Sequence, residues 1–205
     1  MFHYSYRLPV FTIAALLLGS FQANAQAFPE GSNSISVGYG GVTLLGSISK
    51  NFDSYTDVNY SGMGPIYFKY EHAMTDNLGL GVNVAYAQNE WSYKYSDTDA
   101  NNNSVTYTET TSRSTYSILA RLNYHIGSDD KFDPYLGIGL GYRDATWKYD
   151  TTNPDGTTNV DISGLMPFGM ELTLGMRYFF TENIGLYAEF GAAKSVLQGG
   201  LAVKF

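Results

Sequence analysis

The sequence contains no cysteine, which excludes disulfides and thiolate metal sites. Charge is scarce as well: Asp, Glu, Lys and Arg make up 15% of the 205 residues, well short of the roughly 25% usual in soluble domains. Basic residues are outnumbered by acidic ones, 12 against 19, giving a net charge of −7 and a pI near 4.8. No nucleic-acid partner is therefore expected, because phosphate backbones need a basic footprint. No apolar run reaches the ~20 residues that a membrane-spanning helix requires. The length suits one or two domains and excludes a large multidomain enzyme.

Aromatic residues and glycine are abundant, with 18 Tyr, 12 Phe and 22 Gly. Aromatic content of this order excludes a disordered chain. Few charges combined with no long apolar helix point to a membrane protein built from strands.

The first nine residues carry Arg7 and no acid, Val10 to Leu18 form a short apolar run, and Ala23-Asn24-Ala25 follows. This is the pattern of a secretory signal peptide over residues 1–25, cleaved after Ala25. Residues 26–205 are then the mature domain, and loss of Arg7 takes its charge from −7 to −8.

The mature chain alternates with period two. In Pro134 to Tyr142, Leu136, Ile138, Leu140 and Tyr142 oppose Gly137, Gly139 and Gly141. Leu78–Tyr86, Tyr116–Ile126 and Leu172–Phe180 follow the same rule, and Ile35–Gly41, Ile66–Tyr70, Ile184–Ala192 and Gly199–Phe205 follow it more weakly. These eight segments carry apolar faces about nine residues long, enough for a tilted strand to cross a bilayer. A soluble β-sandwich would alternate too. Its polar face would carry Lys and Glu, whereas here that face is rich in Gly, Ala, Ser and Asn, as suits a narrow lumen. Long polar connections (46–61, 96–105, 150–162) also alternate with short ones at Thr75–Asn77, Gly127–Phe132 and Thr181–Asn183. Only the fourth outer loop, near Ala193–Gln198, is short.

A signal peptide, eight alternating strands, a final Leu201-Ala202-Val203-Lys204-Phe205 and the run Phe132-Asp133-Pro134-Tyr135-Leu136-Gly137-Ile138-Gly139-Leu140-Gly141-Tyr142 together resemble the small bacterial outer-membrane β-barrels. The resemblance implies an all-β fold, an eight-stranded antiparallel up-and-down transmembrane β-barrel. It further implies assembly by periplasmic chaperones and the barrel assembly machinery, and residence in the bacterial outer membrane among lipid and lipopolysaccharide. A monomer is expected. The resemblance leaves function open, since such barrels include structural, adhesive, transport and enzymatic members.

If the apolar faces meet lipid, the opposite parity lines the lumen. It holds Lys69, Glu71, Arg121, His125, Arg143, Glu171, Arg177, Glu189 and Lys204. An eight-stranded barrel is just wide enough for its own side chains, and buried charges need partners. An ion-pair network is thus expected, with Glu171 and Glu189 held by arginines and by Lys69 or Lys204. The structural reading is a polar plug. The functional reading is a passage for anions, suggested by five positive against three negative charges.

Beyond the membrane, Trp91, Tyr93, Tyr95, Tyr107, Trp147 and Tyr149 share the inward parity of consecutive strands. They form either a small aromatic core or a mouth for an apolar or sugar-like ligand, unless a bulge returns Trp91 or Trp147 to the lipid girdle. The outer loops are acidic: Asp53 and Asp57 lie in the first, Asp97 and Asp99 in the second, and Asp150, Asp155 and Asp161 in the third. They serve as solvated tips or as surfaces for an extracellular partner. Asp97, Asp99 and Asn101 are spaced like the first ligands of a calcium loop, but Asn102 and Thr108 stand where such loops need Gly and Glu. No metal or cofactor is expected, and no catalytic residue either: His3 leaves with the signal peptide, and His72 and His125 both fall at strand ends that meet short turns, away from the outer leaflet. The reading favoured is a structural or surface-interaction barrel and not an enzyme. The alternative is a narrow channel or carrier for small solutes using Arg121, Arg143 and Arg177.

Overall fold

A computed structural model describes residues 27–43, 59–98, 103–127, 130–154, 162–163 and 167–205. The segment expected to be a signal peptide and residues 46–58, 99–102 and 155–161 of the expected outer loops lie outside these residues. The described chain forms β1 (Asn33–Thr43), β2 (Asn59–Thr75), β3 (Leu78–Thr98), β4 (Ser104–His125), β5 (Phe132–Thr151), β6 (Ile162–Ser163), β7 (Phe168–Phe179), β8 (Ile184–Ala192) and β9 (Ser195–Lys204). Each long strand pairs antiparallel with its sequence neighbours, and the two-residue β6 adds to β5 at Thr146 and Trp147. The β1–β9 pairing, running from Ser34↔Lys204 to Thr43↔Ser195, closes the sheet on itself. The result is an eight-stranded up-and-down barrel with β6 as an appendage.

All eight segments with alternating sequence lie on these strands, and their apolar parity faces outward. Val37, Phe68, Leu80, Ile118, Ile138, Leu174, Leu186 and Leu201, one from each long strand, are 46–55% exposed. Apolar side chains this open around a whole circumference are a lipid-facing belt, because water would penalise each of them. Tyr39, Tyr86, Tyr116 and Tyr142 lie toward its outer edge, with Tyr116 and Tyr142 in contact (ring centroids 5.8 Å apart). The packed core is the lumen, where Tyr67, Leu119, Tyr135 and Phe179 are fully buried.

Two short turns use one device. Thr75 Oγ1 accepts from the backbone N–H groups of Asn77 and Leu78 (3.3 and 3.1 Å), and Thr181 Oγ1 accepts from those of Asn183 and Ile184 (3.3 and 2.8 Å). A Thr hydroxyl so placed mimics a backbone turn. In each turn the Asn then donates to the carbonyl of a neighbouring strand: Asn77 to His125 (3.0 Å) and Asn183 to Lys204 (2.7 Å). The motif Thr-acid-Asn therefore both tightens the turn and pins it sideways. Pro65, which cannot donate to a ladder, lies in the register shift between Met63 and Ile66, where a bulge tolerates it.

The strands are longer than the alternation indicates. β3, β4 and β5 run 21, 22 and 20 residues, whereas β7, β8 and β9 run 12, 9 and 10. The β3–β4 register is continuous from Leu78↔Tyr124 to Thr98↔Ser104. Twelve residues of β4, Ser104 to Thr115, therefore rise past the tyrosine girdle. At a strand rise of about 3.4 Å and a tilt of about 40°, that is a wall about 30 Å tall on one side of the rim. On the opposite side β8 turns into β9 through Ala193 and Lys194 alone, a shorter connection than the sequence suggests.

Candidate functional site

Small residues at the inward positions make room for large charged ones. A methyl group added at Gly139 would meet the Glu171 side chain, and one at Gly175 would meet the Tyr135 ring. In that space Arg121, reaching from β4, donates to Glu171 from Nη1 (2.9 Å) and to Glu189 and Thr173 from Nη2 (2.8 and 2.9 Å). Its Nε donates to Asn123 (2.8 Å), so the guanidinium fork is used on every side. Lys69 Nζ lies 2.7 Å from Glu189. Tyr135 and Gln198 also donate to Glu189 (2.7 and 3.1 Å), and Asn83 donates to Glu171 (2.8 Å).

Nearer the short turns lies a second cluster. Arg177 pairs with Glu71 and, at 3.4 Å, with Asp133. His125 sits between the same two carboxylates, Nδ1 on Asp133 at 2.6 Å and Nε2 on Glu71 at 2.9 Å. Carboxylate oxygens only accept, so this placement suits a ring that donates from both nitrogens. Ala27 and Phe28 fold into this end of the barrel and are fully buried, with Phe28 beneath the Arg177 guanidinium (5.2 Å to the ring centroid). Between the clusters a small gap bordered by Ser34, Ser36, Gly81 and Asn123 has room for about one water.

The structure therefore brings together Lys69, Glu71, Arg121, His125, Glu171, Arg177 and Glu189, and leaves out two residues of the expected network. Lys204 lies over the Phe179 ring near the turns (4.9 Å). Arg143 stands above the network, near the outer rim, its Nη2 on the Met170 carbonyl (3.3 Å). Parity puts both on the lumenal face, but Arg143 stands too high to reach the acids, and Lys204, near enough for Asp133 to act on it, forms no ion pair with them among the described residues. Asp133, buried beside Pro134 at the start of β5, is the acid that the sequence reading missed. With it, Lys69, Arg121, His125 and Arg177 face Glu71, Asp133, Glu171 and Glu189, and the excess of positive charge expected for an anion passage disappears from the network.

On the tall wall, Trp91 stacks on Trp147 (6.0 Å, 16° between planes), and Tyr95 contacts both Tyr93 and Tyr107 (6.4 and 5.8 Å). The unbroken register keeps both tryptophans on the inward parity. The centre of this cluster is a residue that the aromatic pattern did not indicate, Glu109. Hydrogen bonds from Tyr149 and then Tyr93 hold its carboxyl below the usual range, and the same contact pushes the Tyr149 hydroxyl up. Asp97 and Thr108 belong to the paired β3–β4 ladder instead of one calcium-binding loop, and residues 99–102 lie outside the described chain. His72 bonds Asn33 (2.9 Å). Among the described residues no group of acids and histidines is arranged to hold a metal.

A closed barrel with an apolar outer belt and a lumen filled by its own ion pairs defines a membrane β-barrel protein. Residues 11–199 match the model of the outer membrane protein beta-barrel domain, and the chain belongs to that family. No curated protein matches the sequence. Among solved structures, OprG from Pseudomonas aeruginosa is 12% identical, with 89% of this chain and 99% of that chain covered and a TM-score of 0.46. Ail of Yersinia pestis, in complex with the heparin analogue sucrose octasulfate, is 16% identical over 86% and 99% at a TM-score of 0.44. The N-terminal β-barrel domain of Pseudomonas aeruginosa OprF is 17% identical over 86% and 97% at 0.38. Identities this low say nothing about ligand or partner.

Proposed function

We propose that this protein is a non-conducting barrel of the bacterial outer membrane that presents its tall β3–β4–β5 wall and outer loops to molecules outside the cell, and that it is not an enzyme. The observation that carries this reading is the unequal rim: strands of 20–22 residues stand opposite strands of 9–12. Ordering long polar strands costs backbone entropy of about 1–2 kcal/mol per residue, a cost that membrane anchoring does not require. The ion pairs packed in the lumen support the same reading over the solute channel, with room for about one water between the two clusters. Lipid and lipopolysaccharide are the neighbours proposed for the belt and outer rim. His72 and His125 both lie toward the short turns, which supports the absence of outer-leaflet catalysis.

The deciding experiment is single-channel recording of the refolded mature chain in a planar bilayer, with insertion verified by heat-shifted gel mobility. A silent, inserted protein is expected. Reproducible steps abolished by Arg121→Gln would replace this reading with the channel.

A further inference from the structure

We infer that the outer mouth of the barrel is a binding site for a phosphate or sulfate group, held by Arg113, Arg143 and Lys194 and approached from outside the cell. The three cations come from three elements. Arg113 is on β4, Arg143 on β5, and Lys194 on the two-residue turn of the low rim. Thr115, two residues from Arg113 on the same face of β4, accepts from Lys194 Nζ at 3.0 Å. Arg143 stands across from Ser117, the next inward residue down that strand. Like charges repel, and these three are close enough that Arg143 and Arg113 both act on Lys194, and Arg143 acts on Arg113.

Nothing in the described chain neutralises them. No carboxylate among the described residues forms an ion pair with any of the three; the nearest lumenal acid, Glu171, is committed to Arg121 and Asn83. The Nε atoms of Arg113 and Arg143 are both buried without a hydrogen-bond partner. Unsatisfied guanidinium donors removed from water are costly. A tetrahedral oxyanion would remove both costs at once, since its oxygens match the arginine fork and its charge offsets the repulsion. Burial, followed by the charges of Arg143 and Arg113, lowers Lys194 to about 7, as expected of a cation site without its anion.

The stacked Trp91–Trp147 pair orients Arg113, whose guanidinium carbon lies 5.1 Å from the Trp147 ring centroid. That geometry is a cation–π contact, and it supplies a reporter, because these are the only two tryptophans in the chain. The site is on the inner wall, above the ion-pair network. A soluble ion or ester reaches it from the extracellular side, whereas a headgroup in the plane of the bilayer is on the other side of the strands. The inference does not depend on whether the barrel conducts.

The test is tryptophan fluorescence and calorimetric titration of the full mature protein in zwitterionic nanodiscs, with three probes: sodium sulfate, glucose 6-phosphate, and nanodiscs doped with phosphatidic acid. Saturable one-to-one binding of the two soluble probes is expected, with a change in tryptophan emission and none from the doped lipid alone. Arg143→Gln and Lys194→Gln should each weaken binding about tenfold, the loss of one charge-assisted hydrogen bond. Lys131→Gln, far away at a short turn, should leave it unchanged. The inference is overturned by an absence of saturable binding, by binding indifferent to both mouth variants, or by a response to phosphatidic acid alone. Heat-shifted mobility of each variant separates lost binding from lost folding.

Discussion

The Phe28 ring lies flat on the His125 imidazole, centroids 4.5 Å apart and planes 21° from parallel. The stack closes the barrel at the end of the short turns, because His125 is itself fixed by Glu71 and Asp133. A five-residue lead-in makes it possible. Gly31, at φ 80°, turns the chain, and Asn33 and Phe205 exchange backbone hydrogen bonds (2.8 and 2.9 Å). Phe28→Ala should therefore lower unfolding free energy by about 3 kcal/mol, the usual scale for deleting a buried ring. A urea titration followed by far-UV circular dichroism would measure this. The bilayer current should stay silent, since the Arg121 network still fills the lumen.

Arg121 serves two carboxylates, so its removal should cost more than that of a typical residue. Arg121→Met removes the one cation that forms an ion pair with Glu171 among the described residues and leaves Glu189 paired with Lys69. The expected loss is about 3–5 kcal/mol, the scale for orphaning a buried charge. Adding Glu171→Gln to Arg121→Met should recover part of it. If the double variant is no more stable than the single one, the pairing carries less energy than its geometry implies.

Proton binding at Lys194 gives a pH signature. Its value of about 7 means that the residue is charged below neutrality and neutral above it. Sulfate, whose own charge is constant, should bind more tightly at pH 6 than at pH 8.5, and Lys194→Gln should flatten that slope. Among the described residues the groups facing Lys194 are Arg113, Arg143 and Thr115, with Glu171 as the single acid acting on it. For folding the sign follows from the same shift. The folded value lies below the ordinary lysine value of 10.5, so the unfolded chain holds more protons between about pH 7 and 10.5, and this residue's contribution to stability rises with pH across that window.

The seam offers a steric prediction. Gly38 and Gly200 face each other across β1 and β9, and a Cβ at Gly200 would run into the backbone of Val37 and Gly38. Main chain cannot step aside as a flexible side chain can. Gly200→Val should thus abolish the compact, heat-shifted form on gels, whereas a change to Val at the exposed, uncrowded Gly41 should preserve it.

Most of the barrel was legible because period-two alternation marks any strand with lipid on one side, and the eight apolar faces gave the strand count. The upper halves of β3, β4 and β5 were legible only through their inward aromatics, because no lipid touches them: Thr106 to Ser114 alternates between two polar surfaces, which leaves the ends of these strands unmarked. Parity also states which face a residue is on but not how high it stands or what it pairs with. That is why Arg143 and Lys204 read as members of a network that they do not join. Phe28 left no signal, since it lies outside any alternating run, and Asp133 was missed because it falls just before the alternating run that starts at Pro134, although it shares the inward parity of Tyr135.

The pairing of Ser34 with Lys204 joins the two ends of the described barrel, and every other long strand pairs with its neighbour in the chain. Neighbouring hairpins can form in succession as the chain arrives, each closing a modest loop. The seam must wait for nearly the whole polypeptide, since loop-closure entropy grows with the length enclosed and distant pairings are the slow ones. Until then β1 and β9 are two open edges, which attract any other unpaired strand. For this molecule the hazardous moment is the interval before its first and last strands meet, and the narrow glycine-lined join shortens it by letting the edges meet with few side chains to rearrange.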